Sequence, residues 1–565
     1  MKTIIKIFYF IVVVLLIPLN VLSQGIEISS GSSIINTGAT TIEITNGSIV
    51  NNGTYTKGSE TLIFSGTTST ATISGTASPT LVVNALTVKP GTQLTLNDGK
   101  TLQAYTFNLQ SNESGTATFV DAKNSGGFTK TSGGSVNVQQ YLTSGRSWYI
   151  SSPVSDATSN VFNPRVEGGS GNILGYYTEA NAGTVLWPEI TNTSTPLTVT
   201  RGYVTNMASS GNILFTGTLN TGALTTASLT AAGVTSTGFN LIGNPYPSYY
   251  DWDNASRTAE VGTSIWYRSK STGAYLFQTY NSSGGASTNG GTKYIPPMQS
   301  FWVKVNAGKT GTIGFSNTYR SHQDQTVATN RLKAPAEDTR KWLRLKVSNG
   351  VNADETLIYA DANAQNGYDM YDSEKMFVNN AAVPEIYTML GNTKLAINGF
   401  KDIAANQQLT LGFNTTSANT FSIQAIEVKN MGTDTKIILK DELNPNEEFD
   451  LTNGSAYTFT SGVVSTPDRF NVIFKSIGVA NGINSAIIDE QSVSVYSNAN
   501  NKISIHCSNM DNEGRVTVCN TIGQILVSGL TTGSTTVINR TFVPGIYLVT
   551  VDAGGYKLTK KIAVN

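Results

Sequence analysis

Residues 244–254 gather more reactive and recognition-capable side chains than any neighbouring stretch. Tyr246, Tyr249, Tyr250 and Trp252 stand beside the carboxylates Asp251 and Asp253 and the amide of Asn254, on a loop stiffened by Pro245 and Pro247. Sugar rings carry apolar C–H faces and hydroxyl edges, so aromatic platforms flanked by carboxylates and amides are what a glycan site needs. Two other readings stay open. Aromatics beside prolines also pack a strand onto its own turn, with Asp251 and Asp253 capping it, and the same two carboxylates could hold calcium. Asp361, Asn363, Asn366, Asp369 and Asp372 form a second oxygen-rich loop, but their spacing departs from that of an EF-hand, so a solvated, turn-capping loop fits it better.

The catalytic inventory is thin. The chain has two histidines, His322 and His506, and two cysteines, Cys507 and Cys519, with no nucleophile-elbow pattern. Zinc chemistry needs three or four nitrogen or sulfur ligands that the chain barely contains. No catalytic residue, metal ligand or cofactor is therefore expected. Glycoside hydrolysis is the harder alternative to set aside, because two carboxylates suffice and the fold sets their separation. A carbohydrate-active enzyme, or an accessory protein that binds polysaccharide, remains the alternative to a non-catalytic binding protein. Cys507 lies in line with Ile503 and Ile505 whereas Cys519 is out of line with Val516 and Val518, which leaves a bridge between them open.

Charge adds an exclusion. Lysine plus arginine and aspartate plus glutamate each number 37, and charged residues make up 13% of the chain. That is about half the usual ~25%. There is no net field to draw nucleic acid or anionic lipid, and no basic stripe with interleaved aromatics.

The elements that must carry these residues read as β throughout. Residues 24–135 repeat an apolar strand closed by an Asn/Gly turn, at Ile34 to Gly38, Ile49 to Gly53 and Leu94 to Gly99. Such strands cannot bury a core singly and predict a β-solenoid-like region, with a plain β-sandwich as the alternative because their spacing is irregular. Residues 136–325 hold five of the six tryptophans and contain two related halves. Ser147, Trp148, Tyr149 and Ile150 run to Pro153 as Phe239, Asn240, Leu241 and Ile242 run to Pro245, and Arg201 to Val204 matches Gln299 to Val303. An aromatic-rich β-sandwich is expected there. Alternating runs such as Leu343/Leu345/Val347 and Phe470/Val472/Phe474 predict a second sandwich over 326–476. Residues 477–491 read as a linker and 492–565 as a small Ig-like sandwich. At the other end Lys2 and Lys6 precede an apolar run to Ile17, which predicts a signal peptide over 1–23. No later stretch is long and apolar enough to span a bilayer.

The last module carries a resemblance. Val516, Val518, Asn520, Gly523 and Ile525, then Pro544, Gly545, Tyr547, Val549 and Val551, then Lys557, Lys560 and Lys561 follow a strand–Asn–Gly–strand, "GxYxVxV" and basic-final-strand pattern. It resembles the C-terminal sorting domain of the type IX secretion system, by which certain Gram-negative bacteria export folded cargo. Tyr496, Ser497, Asn498 and Ala499 lack the prolines usual in the first turn of that family. Residues 136–325 and 326–476 resemble sandwiches common in surface proteins that carry this domain, and 24–135 the stalk-like regions of adhesin-type proteins. The resemblance implies a secreted or outer-membrane-attached, adhesin-like protein. Its partners would be the type IX machinery and surface, host or environmental glycans, with Asn520, Gly523, Pro544, Gly545, Tyr547, Lys557, Lys560 and Lys561 in the sorting signal.

Overall fold

The computed structural model describes residues 25–476 and 493–565, apart from 69, 77, 166–168, 180–184, 232–236, 271–273, 323–337, 379, 446, 499, 508–513, 532–533 and 554–555. The expected signal peptide and linker lie outside the described residues. The chain is all-β, broken by short 3-10 turns such as Ser159–Phe162 and Trp252–Asn254. Among the described residues no helix is long and apolar enough to cross a membrane.

The first region is a parallel β-solenoid. One sheet stacks Ile26–Ile28, Ile49–Asn51, Ala71–Ser74, Gln93–Leu96 and Thr118–Asp121, and the other stacks Thr41–Thr45, Thr61–Ser65, Leu81–Val88, Leu102–Leu109 and Phe128–Leu142, all in parallel. Coil length varies: Thr41 pairs with Thr61, whereas Leu102 pairs with Phe128. That variation is why the sequence repeat looks irregular. Period-2 alternation turns Leu62, Phe64, Leu94, Leu96, Phe107 and Phe119 into a dry interior between the sheets. Lys100 is fully buried, and its Nζ donates to the carbonyls of Asn51 (3.0 Å), Thr76 and Pro79 (2.9 Å each). One ammonium thus satisfies three acceptors from earlier coils, while burial pulls its pKa down. The strand Phe128–Leu142 continues past residue 135 and pairs antiparallel with Gly211–Gly217, which joins the solenoid to the middle region.

In the middle region the two related halves exchange partners. Ser147–Ile150 pairs with Tyr203–Asn206 in the first half, and Phe239–Gly243 with Ser300–Lys304 in the second. Beyond these pairs, Ile150 bridges to Gln299 of the second half and Arg201 of the first bridges to Ile242. Ser151 N–H donates to Met298 O and Gly243 N–H to Thr200 O, both at 2.8 Å. Thr200 and Met298, matched by the repeat, both hold the left-handed backbone that few side chains adopt, with φ of 69° and 56°. The two halves are therefore related by an approximate twofold exchange. Near its centre the matched positions Ser151 and Gly243 face each other, and a Cβ on Gly243 would lie 2.1 Å from that of Ser151.

Residues 342–474 form one continuous sheet rather than two separate ones, running from Glu448–Asp450 through Trp342–Ser348 to Ala456–Ser461. It curls over a core in which Phe459 from one end meets Phe470 at 4.9 Å, and a second cluster of Trp342, Leu357, Tyr359 and Ile397 packs with Ala286. The C-terminal unit has its own core, from Val493, Ile503, Val516, Val518, Tyr547, Val549 and Ile562, between a three-stranded and a four-stranded antiparallel sheet. Cys519 there is a free, half-buried thiol, and the side chain of Cys507 lies outside the described residues.

Candidate functional site

The loop 244–254 divides. Tyr246, Tyr250 and Trp252 are fully buried. The Tyr246 hydroxyl donates to Gly222 O (2.6 Å), Tyr250 accepts from Ser316 N (3.2 Å), and Trp252 Nε1 donates to Thr263 O (2.8 Å). Burial pushes the Tyr250 hydroxyl up to about 12. These three rings present no face to solvent, so they build the core and do not form a platform for a ligand. Asp251 caps the 3-10 turn, accepting from Asp253 N (3.1 Å) and Asn254 Nδ2 (3.1 Å). Lys293 Nζ lies 2.8 Å from Asp251 and 3.3 Å from Asp253, and Tyr280 donates to Asp253 (2.8 Å). The two carboxylates are thus engaged in holding the turn. In the second oxygen-rich loop Asp369 accepts from Gln365 N and Tyr371 N, and Asp372 from Asp369 N and Gly399 N. Among the described residues no group of three or more His, Cys, Asp and Glu is placed to hold a metal.

Of the four aromatic residues Tyr249 is the one that is not buried, and it lines a pocket of about 270 Å³. Trp148 and Tyr149 line it from the first half, and Pro296, Pro297, Met298 and Gln299 from the loop entering the second aromatic strand. Thr116, Thr118, Gln140 and Leu142 close it from the solenoid. Its polar groups are uncharged and anchored. Trp148 Nε1 donates to Thr143 O (2.8 Å), Gln299 Nε2 to Tyr149 O (3.0 Å), and Thr118 Oγ1 lies 2.7 Å from Nδ1 of His322. His322 also holds Thr95 Oγ1 at 2.7 Å through Nε2, and burial beside the Arg320 charge keeps its pKa down at about 3. The ring is neutral at ordinary pH. Rigid aromatic faces beside neutral donors and acceptors can hold a polyol but supply no acid, base or nucleophile.

The exchange between halves creates a second pocket at the matched place. It measures about 220 Å³ and is lined by Thr198, Val199, Thr200 and Arg201 with Asn240, Leu241 and Ile242, the counterparts of Pro296 to Gln299 and Trp148 to Ile150. Its chemistry differs. Asn240 and Leu241 replace Trp148 and Tyr149, Arg201 stacks on Tyr176 (4.7 Å), and buried Glu179 accepts from Gly238 N (2.6 Å). A third, larger cavity of about 660 Å³ lies between residues 237–266 and 368–374, with Trp266, Phe239, Tyr368 and Met370 on its walls. Lys304 pairs with Glu374 there, and burial raises the Asp372 carboxyl to about 7.

Residues 50–474 match a family model described as "Domain of unknown function (DUF8693)". The chain belongs to this family. The DUF8693 match takes in the later solenoid coils, both halves of the middle region and the curled sheet, and so contains all three cavities. No curated protein matches the chain. A solved structure described as PorZ, an essential bacterial surface component of the type-IX secretion system of Porphyromonas gingivalis, is similar at 10% identity and a TM-score of 0.12, over 58% of this chain and 58% of that one. The chain thus spans little more than half the length of that protein. Another, described as a biofilm associated protein BSP domain, is similar at 10% identity and a TM-score of 0.11, over 76% of this chain and 92% of that one. At such scores neither likeness bears on function.

The C-terminal unit lies outside the DUF8693 match, and its expected signal residues occupy two turns and one hairpin. Asn520 Oδ1 accepts from Ile522 N and Gln524 N (3.2 and 2.9 Å), and Gly523 takes a φ of 81° to close that turn. Pro544 is exposed, and Gly545 opens the strand Gly545–Ala553. Tyr547 is buried, its hydroxyl donating to Val543 O (2.8 Å). Lys557, Lys560 and Lys561 lie on the last strand opposite Asp552, Val549 and Leu548. In the first turn Asn498 Oδ1 accepts from Asn500 N (3.0 Å) and Lys502 N (3.1 Å), so a side chain does the stiffening that prolines would do.

Sequence reasoning placed Trp148 and Tyr149 on a strand and missed them as site residues. The signal was in the repeat itself. Aligning the halves sets Trp148 and Tyr149 against Asn240 and Leu241, so the first half carries aromatic rings at two positions where the matched strand has none.

Proposed function

We propose that this is an exported, non-catalytic, adhesin-like protein of the cell surface or secreted fraction, which binds glycan at the pocket of Trp148, Tyr149 and Tyr249. The observation that carries the reading is the lining of that pocket. The partly exposed Trp148, Tyr149 and Tyr249 line it together with amides and hydroxyls, and no carboxylate is among its lining residues. The solenoid adds a rigid, polar-faced extension of the kind that suits reach rather than turnover. On the same reading residues 492–565 are a type IX sorting domain: a separately packed unit whose Asn520 turn, Tyr547 strand and lysine-bearing last strand follow the pattern of that family.

Two experiments test it. The purified chain is incubated with plant, algal and host polysaccharides, and bound protein and new reducing ends are scored in the same tubes. Binding without new ends is expected; new ends would mean glycoside hydrolysis. Deleting residues 492–565 in a type IX-competent host should leave the protein inside the cell envelope, and unchanged surface delivery would refute the sorting assignment.

A further inference from the structure

One lysine and one aspartate of the curled sheet are held together out of water. Lys375 Nζ lies 2.5 Å from Asp354 Oδ2, and the two side chains are 4% and 3% exposed. Asp354 sits on the strand Ala353–Ala360, and Lys375 follows the short strand Ser373–Glu374, 21 residues further along the chain. A third ionisable group, Glu385, opens the strand Glu385–Leu390 and is also buried. Burial raises its carboxyl, the charge of Lys375 opposing this and that of Asp354 adding to it, so Glu385 lies within electrostatic reach of both partners.

Other ion pairs of the chain lack this combination. Lys293 with Asp251 and Lys341 with Asp402 stay in contact with solvent, where hydration keeps both ions charged. Arg469 with Asp441 is nearly as buried, but a guanidinium does not give up its proton and so is no nucleophile. Burying full charges is costly, which narrows the gap to the neutral pair in which a proton has passed from the ammonium to the carboxylate. That neutral pair is a free amine in contact with a carboxylic acid. Asp354 is also held as an acyl group is held for attack. Asn289 Nδ2 donates to its Oδ1 and Ile386 N–H to its Oδ2, both at 2.9 Å, and such fixed donors stabilise the oxyanion of a tetrahedral intermediate.

We propose that Lys375 and Asp354 condense into an intramolecular isopeptide bond, with Glu385 relaying the protons. Nζ attacks Asp354 Cγ and a C–N bond forms, while the bond from Cγ to Oδ2 breaks. The ammonium gives up two protons, directly or through Glu385, and Oδ2 leaves with both as water. No oxidant or cofactor is consumed, and Glu385 ends as it began. Fixed contact replaces the encounter of two free groups, which lets the amide form without an activated acyl donor. The product closes residues 354–375 into a covalent ring that contains the oxygen-rich loop from Asp361 to Asp372. It forms once per chain, without turnover, and does not depend on what the aromatic pocket binds.

The test is the mass of the purified full chain under denaturing conditions, read with tandem spectra of its digest. The chain should be one water lighter than its sequence from the observed N-terminus, and the peptide holding Asp354 should be joined to the one holding Lys375. The full sequence mass, or a lost water with no joined peptide, would overturn the proposal whatever the variants do, and leave the pair as a buried salt bridge. Lys375→Arg keeps the charge but not the nucleophile and should restore the missing water; a variant still lacking it would also overturn the proposal. Asp354→Asn should link with loss of ammonia in place of water, because the leaving atom is then nitrogen, whereas loss of water from it would place the bond elsewhere. Glu385→Gln, with a circular dichroism spectrum equal to that of the parent, should cut the linked fraction about tenfold or more. Undiminished linkage in that variant would overturn the relay assigned to Glu385.

Discussion

The two pockets of the middle region share a backbone and differ in chemistry. Both form where a first strand of one half meets the loop of the other. Matched N–H···O bonds of 2.8 Å and matched left-handed residues, Thr200 and Met298, shape that loop in both. On this common frame one pocket carries Trp148, Tyr149 and Gln299, and the other Asn240, Leu241 and Arg201. Backbone hydrogen bonds and one crowded contact therefore set where a pocket forms. Two or three side chains set what enters it.

The largest expected effect breaks the frame itself. Gly243→Ala puts a methyl 2.1 Å from Ser151 Cβ at a buried position, which should cost ~3 kcal/mol or more in a urea melt. Combining it with Ser151→Gly moves the lone Cβ to the other half and should recover most of the loss. A double variant no more stable than Gly243→Ala would show that the two positions do not share the centre.

Acidification should separate the pockets next. His322 is neutral when folded, with a pKa held down at about 3, but takes a proton near the usual 6.5 when unfolded. Between those values the unfolded chain binds the extra proton, so stability falls as pH drops below 6.5, by at most ~1.4 kcal/mol per pH unit. His322→Gln should flatten that part of the stability-versus-pH curve. Thr118, which His322 positions, lines only the aromatic pocket, and because the folded ring stays neutral across this window, saccharide binding by the folded protein should hold until the pH nears 3. Trp148→Ala should then reduce binding about tenfold. Arg201→Gln, in the matched pocket, should leave it unchanged, and equal losses would mean that both pockets bind. The smallest change is Thr200→Gly, which relieves a β-branched residue at φ 69° and should raise the melting free energy by ~0.5 kcal/mol.

Much of the fold was legible because alternation and turn residues are local. The strands of the solenoid, and the duplication joining Ser147 to Phe239 and Arg201 to Gln299, could be read directly. The exchange could not, since Ile150 meets Gln299 through contacts that no local pattern encodes. In residues 244–254 the aromatic composition was equally that of a platform and of a core. The structure places Tyr246, Tyr250 and Trp252 inside and leaves Tyr249 to the pocket. The clamp of His322 on Thr95 and Thr118 was invisible for the same reason: its partners lie 227 and 204 residues away along the chain.

The exchanged pairing has the symmetry of a dimer. Segment i of one half touching segment j of the other, and j touching i, is the pattern of an isologous contact between identical subunits. The two halves stand to each other as two copies in a dimer, now carried on a single chain. In a homodimer any substitution appears on both sides of the axis, so Ser151 opposite Gly243 could not arise, and neither could a tryptophan in one pocket and an asparagine in the other. On a single chain that constraint is absent, and the two sites are free to differ.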